Sequence, residues 1–416
     1  MTAPQLPTSK PLWHKQVEEM GLKGETLFTI SRLNSASKIE LPQFLMLRAL
    51  YQPKSRLDLE KLFDHGAVTE ETWSITKKCL GSCQEYMAYL RSISSEKEVL
   101  GPFEMARLYQ KRSSELISNS ESRREVDSSK ITVQRRVTRS QTRAEQQGSP
   151  TPKPSEELPP RMEKLSLHTP KQQSGDGSSS PAGGDEPRYL FSPTCGTPIP
   201  PSIADKVYRF IEDEQIVNFA LILLLDTLVL TSPYVEGFWS PYRSPFSVRD
   251  GAEEVYQARV DGVFRRERDL PGNMIAEVKP HSRSTNEMNV NMQESAQMAA
   301  WIAEYPQLDK QIALKRATLG KRKGMTSKPA ALPEPAERKE PRRKYRRALI
   351  SQNRRDVFIT IGSYDEAYID YITNVSQSEA FLEMKRYGPF EIVDPADMER
   401  LCHFLLALCI QGRILD

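Results

Sequence analysis

A chain of 416 residues has room for two or three domains, and a formal net charge of +3 excludes a uniformly basic protein, so any basic surface is local. Apolar residues make up 38% and prolines number 30, which fits globular parts joined by stretches that cannot bury enough surface to fold. The cysteines (Cys79, Cys83, Cys195, Cys402, Cys409) do not cluster with the histidines into the set of about four ligands that zinc takes, which points to ordinary thiols in a reducing, intracellular compartment.

The segment Met1 to Lys10 is polar and Pro-rich, without the apolar stretch of a secretory signal. Residues 1–117 read as a helical accessory segment. Leu41 to Leu50 has helical apolar spacing, with Pro42 suited to a first turn. A second helix is expected from Thr69 through Tyr86, Tyr89 and Leu90, and a third from Phe103 to Ile117. From residue 118 to 201 the composition turns to Ser, Thr, Pro, Gln, Gly and charge, which predicts a disordered linker. Within it, Arg135 to Arg143 is basic and reads either as a solvated tail or as a nucleic-acid contact.

Residues 202–416 read as the domain that carries the chemistry. A helix is expected from Ile203 to Leu230, apolar on nearly every face beyond Gln215 and therefore central. Its greasiest run, Phe219 to Leu230, contains Asp226 and is shorter than the roughly 20 residues of a membrane span, so no membrane partner is expected. Two apolar strands follow, Ala258 to Phe264 and Met274 to Pro280, joined by a turn at Glu267 to Asn273. Asn291 to Glu304 is a second helix whose Ser295, Ala296, Ala299 and Ala300 permit close packing on a sheet. A strand at Asp356 to Ile361 and a helix at Pro395 to Ile410 complete an α/β (α+β) layer fold. Between the second helix and that strand, a basic Pro-containing insertion runs from about residue 315 to 347.

The two strands hold the most informative residues. Side chains alternate along a strand, so Glu277 and Lys279 share a face while Val278 enters the opposite core, and the turn brings Asp261 alongside. Carboxylates gathered in this way repel by about 4 kcal/mol per pair at 4 Å and an effective dielectric near 20, so the cluster needs a cation or a bound proton. Hard oxygen ligands suit Mg²⁺ or Mn²⁺. A metal held by Asp261, Glu277 and the Val278 carbonyl would polarise a phosphate and acidify water, with Lys279 orienting the water or balancing charge.

This pattern resembles the PD-(D/E)XK nuclease superfamily, in which an Asp precedes a strand bearing Glu-x-Lys. It is more closely similar to the fungal proteins described as PD-(D/E)XK nuclease-like. The shared phrases are Ala258-Arg-Val-Asp-Gly262, Ala276-Glu-Val-Lys-Pro280, Gln293 to Ile302, Leu349 to Asn353 and Tyr387 to Ile392. Val260 stands where the signature has Pro, and Trp301 where some members have Tyr. The resemblance implies a restriction-endonuclease-like αβββαβ core, a mixed sheet flanked by helices, and Glu214 of the first helix as a supporting acid. Glu214 and Asn218 lie one helical turn apart, and the alternative for both is a solvated helix turn. Gln297 fits the Gln-x-x-x-Tyr pattern as a further site residue; helix surface facing the sheet end is the alternative.

The expected activity is metal-dependent hydrolysis of phosphodiester bonds in DNA, with RNA a lesser option. Arg259, Arg283, Gln293, Lys344, Arg346 and Arg347 are candidates for nucleic-acid contact, although solvated charge is the default for the basic ones. The basic insertion reads as a nuclear localisation signal, a phosphate-tracking loop or a solubilising loop. Two other classes stay open: a binding module with this fold and no turnover, and a protein-interaction scaffold.

Overall fold

A seven-stranded mixed sheet with helices on both faces draws its strands from both sides of the expected linker. The computed structural model describes residues 5–30, 33–60, 68–95, 98–116, 201–265, 271–306 and 344–414. Nearly all of the expected linker, with Arg135 to Arg143, and most of the basic insertion therefore lie outside the described residues. Among the described residues no helix is long and apolar enough to cross a membrane.

The N-terminal part contributes α1 (Lys10–Glu19), α2 (Leu41–Met46), β1 (Ala49–Lys54), α3 (Glu70–Ser82), α4 (Gln84–Ser92) and α5 (Phe103–Glu115). There follow α6 (Pro201–Leu230), β2 (Phe238–Ser240), β3 (Ser244–Asp250), β4 (Glu253–Val260), β5 (Gly262–Arg265) and β6 (Pro271–Lys279). The chain closes with α7 (Glu287–Glu304), β7 (Lys344–Asn353), β8 (Asp356–Asp365), α8 (Glu366–Ile372), β9 (Leu382–Glu391) and α9 (Pro395–Ile414). The sheet order is β1-β9-β8-β7-β6-β5-β2, while β3 and β4 form a separate antiparallel pair. Strands β1 and β9 run parallel, as do β6 and β7; the other neighbours are antiparallel.

Strand β6 shows how alternation builds the two faces. Met274, Ala276 and Val278 enter one core with apolar residues of α6 and α9. Ile275 enters the other core, against Ala296, Ala299 and Ala300 of α7. Glu277 and Lys279 follow the parity of Ile275, so they face α7. The small residues of α7 let its backbone approach the sheet, as expected.

Three sequence expectations change. Helix α2 stops at Met46, because Arg48 adopts a left-handed conformation (φ 52°) and turns the chain into β1. The expected helix from Thr69 to Leu90 is two helices, broken where Cys83 becomes extended (ψ 106°). The expected strand from Ala258 to Phe264 is also two, because β4 pairs with β3 and β5 with β6. The accessory reading of residues 1–117 also needs restating. Met1–Val126 and Asp205–Asp416 belong to one compact unit, and β1 is an edge strand of the shared sheet.

A buried polar network ties that edge to α7. Arg283, just past β6, pairs through Nη2 with Glu294 of α7 and donates to Ser351 Oγ (2.9 Å). Its Nη1 reaches Asn291 Oδ1 (2.7 Å) and its Nε reaches Asn353 Oδ1 (3.0 Å). Tyr51 of β1 donates its hydroxyl to Glu294 Oε2 (2.8 Å), and Arg386 of β9 reaches Asn291 Oδ1 (3.1 Å). Burial alone would raise the Glu294 pKa, but Arg283, Tyr51 and Ser351 outweigh it and hold the carboxyl below its ordinary range. Removing one partner strands the other charge in the interior. Arg283→Met should lower the free energy of unfolding by about 3–5 kcal/mol, measured by urea denaturation.

Candidate functional site

Asp261 sits at the corner where the chain leaves the β3–β4 pair and joins the main sheet. Its N–H donates to the Ala276 carbonyl (3.0 Å), and its Oδ2 accepts from the N–H of Val278 (3.1 Å). These two bonds clamp the corner against β6, and the side chain is buried, 5% exposed. A regular strand would have sent Asp261 to one face by parity alone. Here the sheet switch and the Val278 N–H set its direction.

Glu277 lies on β6 and is 3% exposed. Its carboxylate pairs with Lys279, accepts from Gln293 Nε2 at Oε1 (2.7 Å) and accepts from Gln297 Nε2 at Oε2 (2.6 Å). The two glutamines are one turn apart on α7, so the helix presses two amide donors onto one acid. Gln297 Nε2 also reaches the Arg259 carbonyl (2.7 Å), binding β4 into the same cluster. Burial, then the charge of Asp261, raises the Glu277 pKa to about 8, against the opposing pull of Lys279 and Gln297. The Lys279 ammonium stays charged: burial opposes it, but Glu277 and Asp261 prevail and raise its pKa.

Glu214 of α6 joins through a residue the sequence reading passed over. Arg243, in the connection between β2 and β3, donates from Nη2 to Glu214 Oε1 (2.5 Å), and its Nε forms an ion pair with Asp261 Oδ1 (3.0 Å). Asn218, one turn beyond Glu214, donates weakly to the Asp261 carbonyl (3.5 Å). The one available signal for Arg243 was charge balance. Glu214, Asp261 and Glu277 outnumber Lys279, so a second cation had to lie near.

Among the described residues, no three His, Cys, Asp or Glu side chains are spaced to hold a metal as they stand. The donor chemistry nonetheless suits Mg²⁺ or Mn²⁺. Three carboxylates supply hard oxygens, and two buried amide oxygens in the same cluster, Asn218 Oδ1 and Gln297 Oε1, have no hydrogen-bond partner. Val278 meets Asp261 through its N–H.

Asp261, Glu277, Lys279, Glu214, Gln293 and Gln297 are thus brought together, with Gln293 acting on Glu277 where a nucleic-acid contact was expected. The basic candidates divide. Arg259 is exposed on β4, its Nε donating to Gln257 (3.0 Å). Arg283 is buried in the Glu294 network and offers no surface charge. Arg347 is also buried; it donates to the Trp301 and Tyr305 carbonyls (2.7 and 2.8 Å) and so caps the α7 C-terminus. Its guanidinium lies over the fully buried Trp301 ring, which removes that tryptophan from any surface contact. Lys344 is exposed and Arg346 half-buried, but both lie at the far end of β7. Ser351 pairs with Glu277 and lies about 23 Å from Lys344 along the strand at roughly 3.3 Å per residue. The basic end of the insertion therefore does not border the acids.

Comparison with family models, curated proteins and solved structures finds no match for this chain.

The Glu277 shift has a definite sign. The unfolded chain releases this proton near an ordinary 4.5 and the folded chain near 8. The group's contribution to stability is therefore full below about 4.5 and is lost as pH rises through 8. Glu277→Gln should remove that dependence. Thermal midpoints of the wild type should fall between pH 5 and 8 more steeply than those of the variant.

Proposed function

We propose that the chain is a metal-dependent nuclease of the PD-(D/E)XK type, acting on DNA in preference to RNA. The observation that carries this reading is the convergence of Asp261, from a strand corner, with Glu277 and Lys279, from one face of the adjoining strand. The element order supports it. Helix α6, the β2–β5–β6 meander, the α7 crossover and the parallel strand β7 follow the αβββαβ sequence, with β3–β4 as an addition.

Asp261 and Glu277, with the Val278 carbonyl, would hold Mg²⁺ or Mn²⁺, which supplies Lewis-acid stabilisation of the scissile phosphate and lowers the pKa of the attacking water. The chain's own residues divide the remaining work. Gln293 and Gln297 each fix one oxygen of Glu277, so its carboxylate cannot rotate freely. The Lys279 Nζ orients the attacking water or balances charge developing on phosphorus. Glu277 must be free of its proton to bind the ion, so metal affinity should weaken as pH falls below the Glu277 pKa. Glu214 supports the acids through Arg243.

A second reading is a nucleic-acid-binding module without turnover. It is favoured by the pairing of Asp261 with Arg243, which already gives that acid a cation. A nuclear location, expected from the basic run, belongs to the proposal; the run lies mostly outside the described residues.

Cleavage of end-labelled single- and double-stranded DNA with Mg²⁺ or Mn²⁺ decides between them. Asp261→Asn and Lys279→Ala should each lower the rate by at least about 10²-fold with an unchanged far-UV circular dichroism spectrum. A wild-type protein that cuts neither DNA nor RNA with either ion ends the nuclease reading. Salt-sensitive DNA binding indifferent to chelator and to Lys279→Ala would instead establish the binding module.

A further inference from the structure

We propose that Arg243 is a built-in counter-cation that occupies Asp261, a ligand of the divalent ion, while tying it to Glu214, and that the ion enters by displacing its guanidinium from Asp261. This rests on the metal-dependent reading above.

The guanidinium bridges two acids from different elements, with Nη2 on Glu214 (2.5 Å) and Nε on Asp261 (3.0 Å). Such a bridge holds carboxylate oxygens across a flat cation. Mg²⁺ or Mn²⁺ instead draws its oxygens to about 2.1 Å, so an ion on Asp261 Oδ1 takes the place of the guanidinium there. The acids are present but spread across an arginine.

Two further observations distinguish a displaceable cation from a fixed clamp. The Arg243 side chain is 49% exposed, on an irregular connection, and can turn into water. The Arg283 guanidinium, by contrast, is 4% exposed and bonded on all sides to Glu294, Ser351, Asn353 and Asn291. The second observation is the unpartnered acceptor Asn218 Oδ1, on a side chain 6% exposed and touching Asp261. Arg243 leaves that oxygen unsatisfied. An ion that retains several of its waters brings donors to it.

The test is Mn²⁺ binding to the full chain by isothermal titration calorimetry, with thermal midpoints in chelator and in Mn²⁺. Arg243→Gln should bind Mn²⁺ about 5- to 150-fold more tightly than wild type, the usual range for coupling between two ligands. It should also melt lower in chelator and gain more from Mn²⁺ than wild type does. Arg243→Lys keeps the charge but cannot span both acids, and should fall between the two; it serves if the glutamine variant does not fold. Asp261→Asn should abolish binding in every background. Equal or weaker Mn²⁺ affinity in Arg243→Gln, with Asp261→Asn still abolishing binding, overturns the displacement while the metal site stands. No Mn²⁺ binding by wild type or either Arg243 variant overturns the displacement and the metal-dependent reading together.

Discussion

Helix α7 lies against the sheet with polar side chains turned inward, and each of them must find a partner or cost stability. Asn291, Glu294, Ser295 and Gln297 are all buried. Apart from the Gln297 Oε1 oxygen, they are partnered by Arg283, by Tyr51 on β1, by Arg386 on β9, by Glu277 on β6 and by the helix backbone itself. An apolar helix would pack on the same sheet in several registers. This one fits where those partners stand, so the helix that closes the core also aligns the acids.

The two buried carboxylates on this face show why neighbours, and not burial alone, decide charge. Glu294 faces a guanidinium that reaches both its oxygens, and its pKa falls. Glu277 faces a lysine and two neutral amides, but burial and then the Asp261 charge outweigh them, and its pKa rises. The first acid is committed to structure. The second holds its proton more tightly than an ordinary glutamate.

Much of this was legible in the sequence, for identifiable reasons. Glu277 and Lys279 share a face because strand periodicity fixes it, and the small residues of α7 announced close packing. Asp261 was recognisable, but its corner position was not, since nothing local marks the point where a strand changes sheets. Strand β1 was hidden because its meaning depends on β9, more than three hundred residues away. Arg243 lies in an irregular loop, where no periodicity points a side chain anywhere. Arg283 and Arg347 looked like surface cations because charge usually is exposed, and their burial follows from partners that only the fold supplies. The basic residues that open β7, Lys344 to Arg347, lie away from Glu277, because β7 runs parallel to β6 and Glu277 pairs with Ser351.

The parallel pairing of β1 with β9 also has a consequence for how the chain reaches this state. Ala49 lies opposite Leu382, so among the described strands the first in chain order is completed by the last. During synthesis, β1 and the hydroxyl of Tyr51 leave the ribosome long before β9, Arg386 or Glu294 exist. Closing so long a loop adds an entropic cost that local helices do not carry, and folds dominated by such pairings form slowly. Until then β1 is an apolar strand with open hydrogen-bonding edges, the kind of segment that other unfinished chains can capture. The network that seats α7 on the sheet is therefore complete only once β9 has been made.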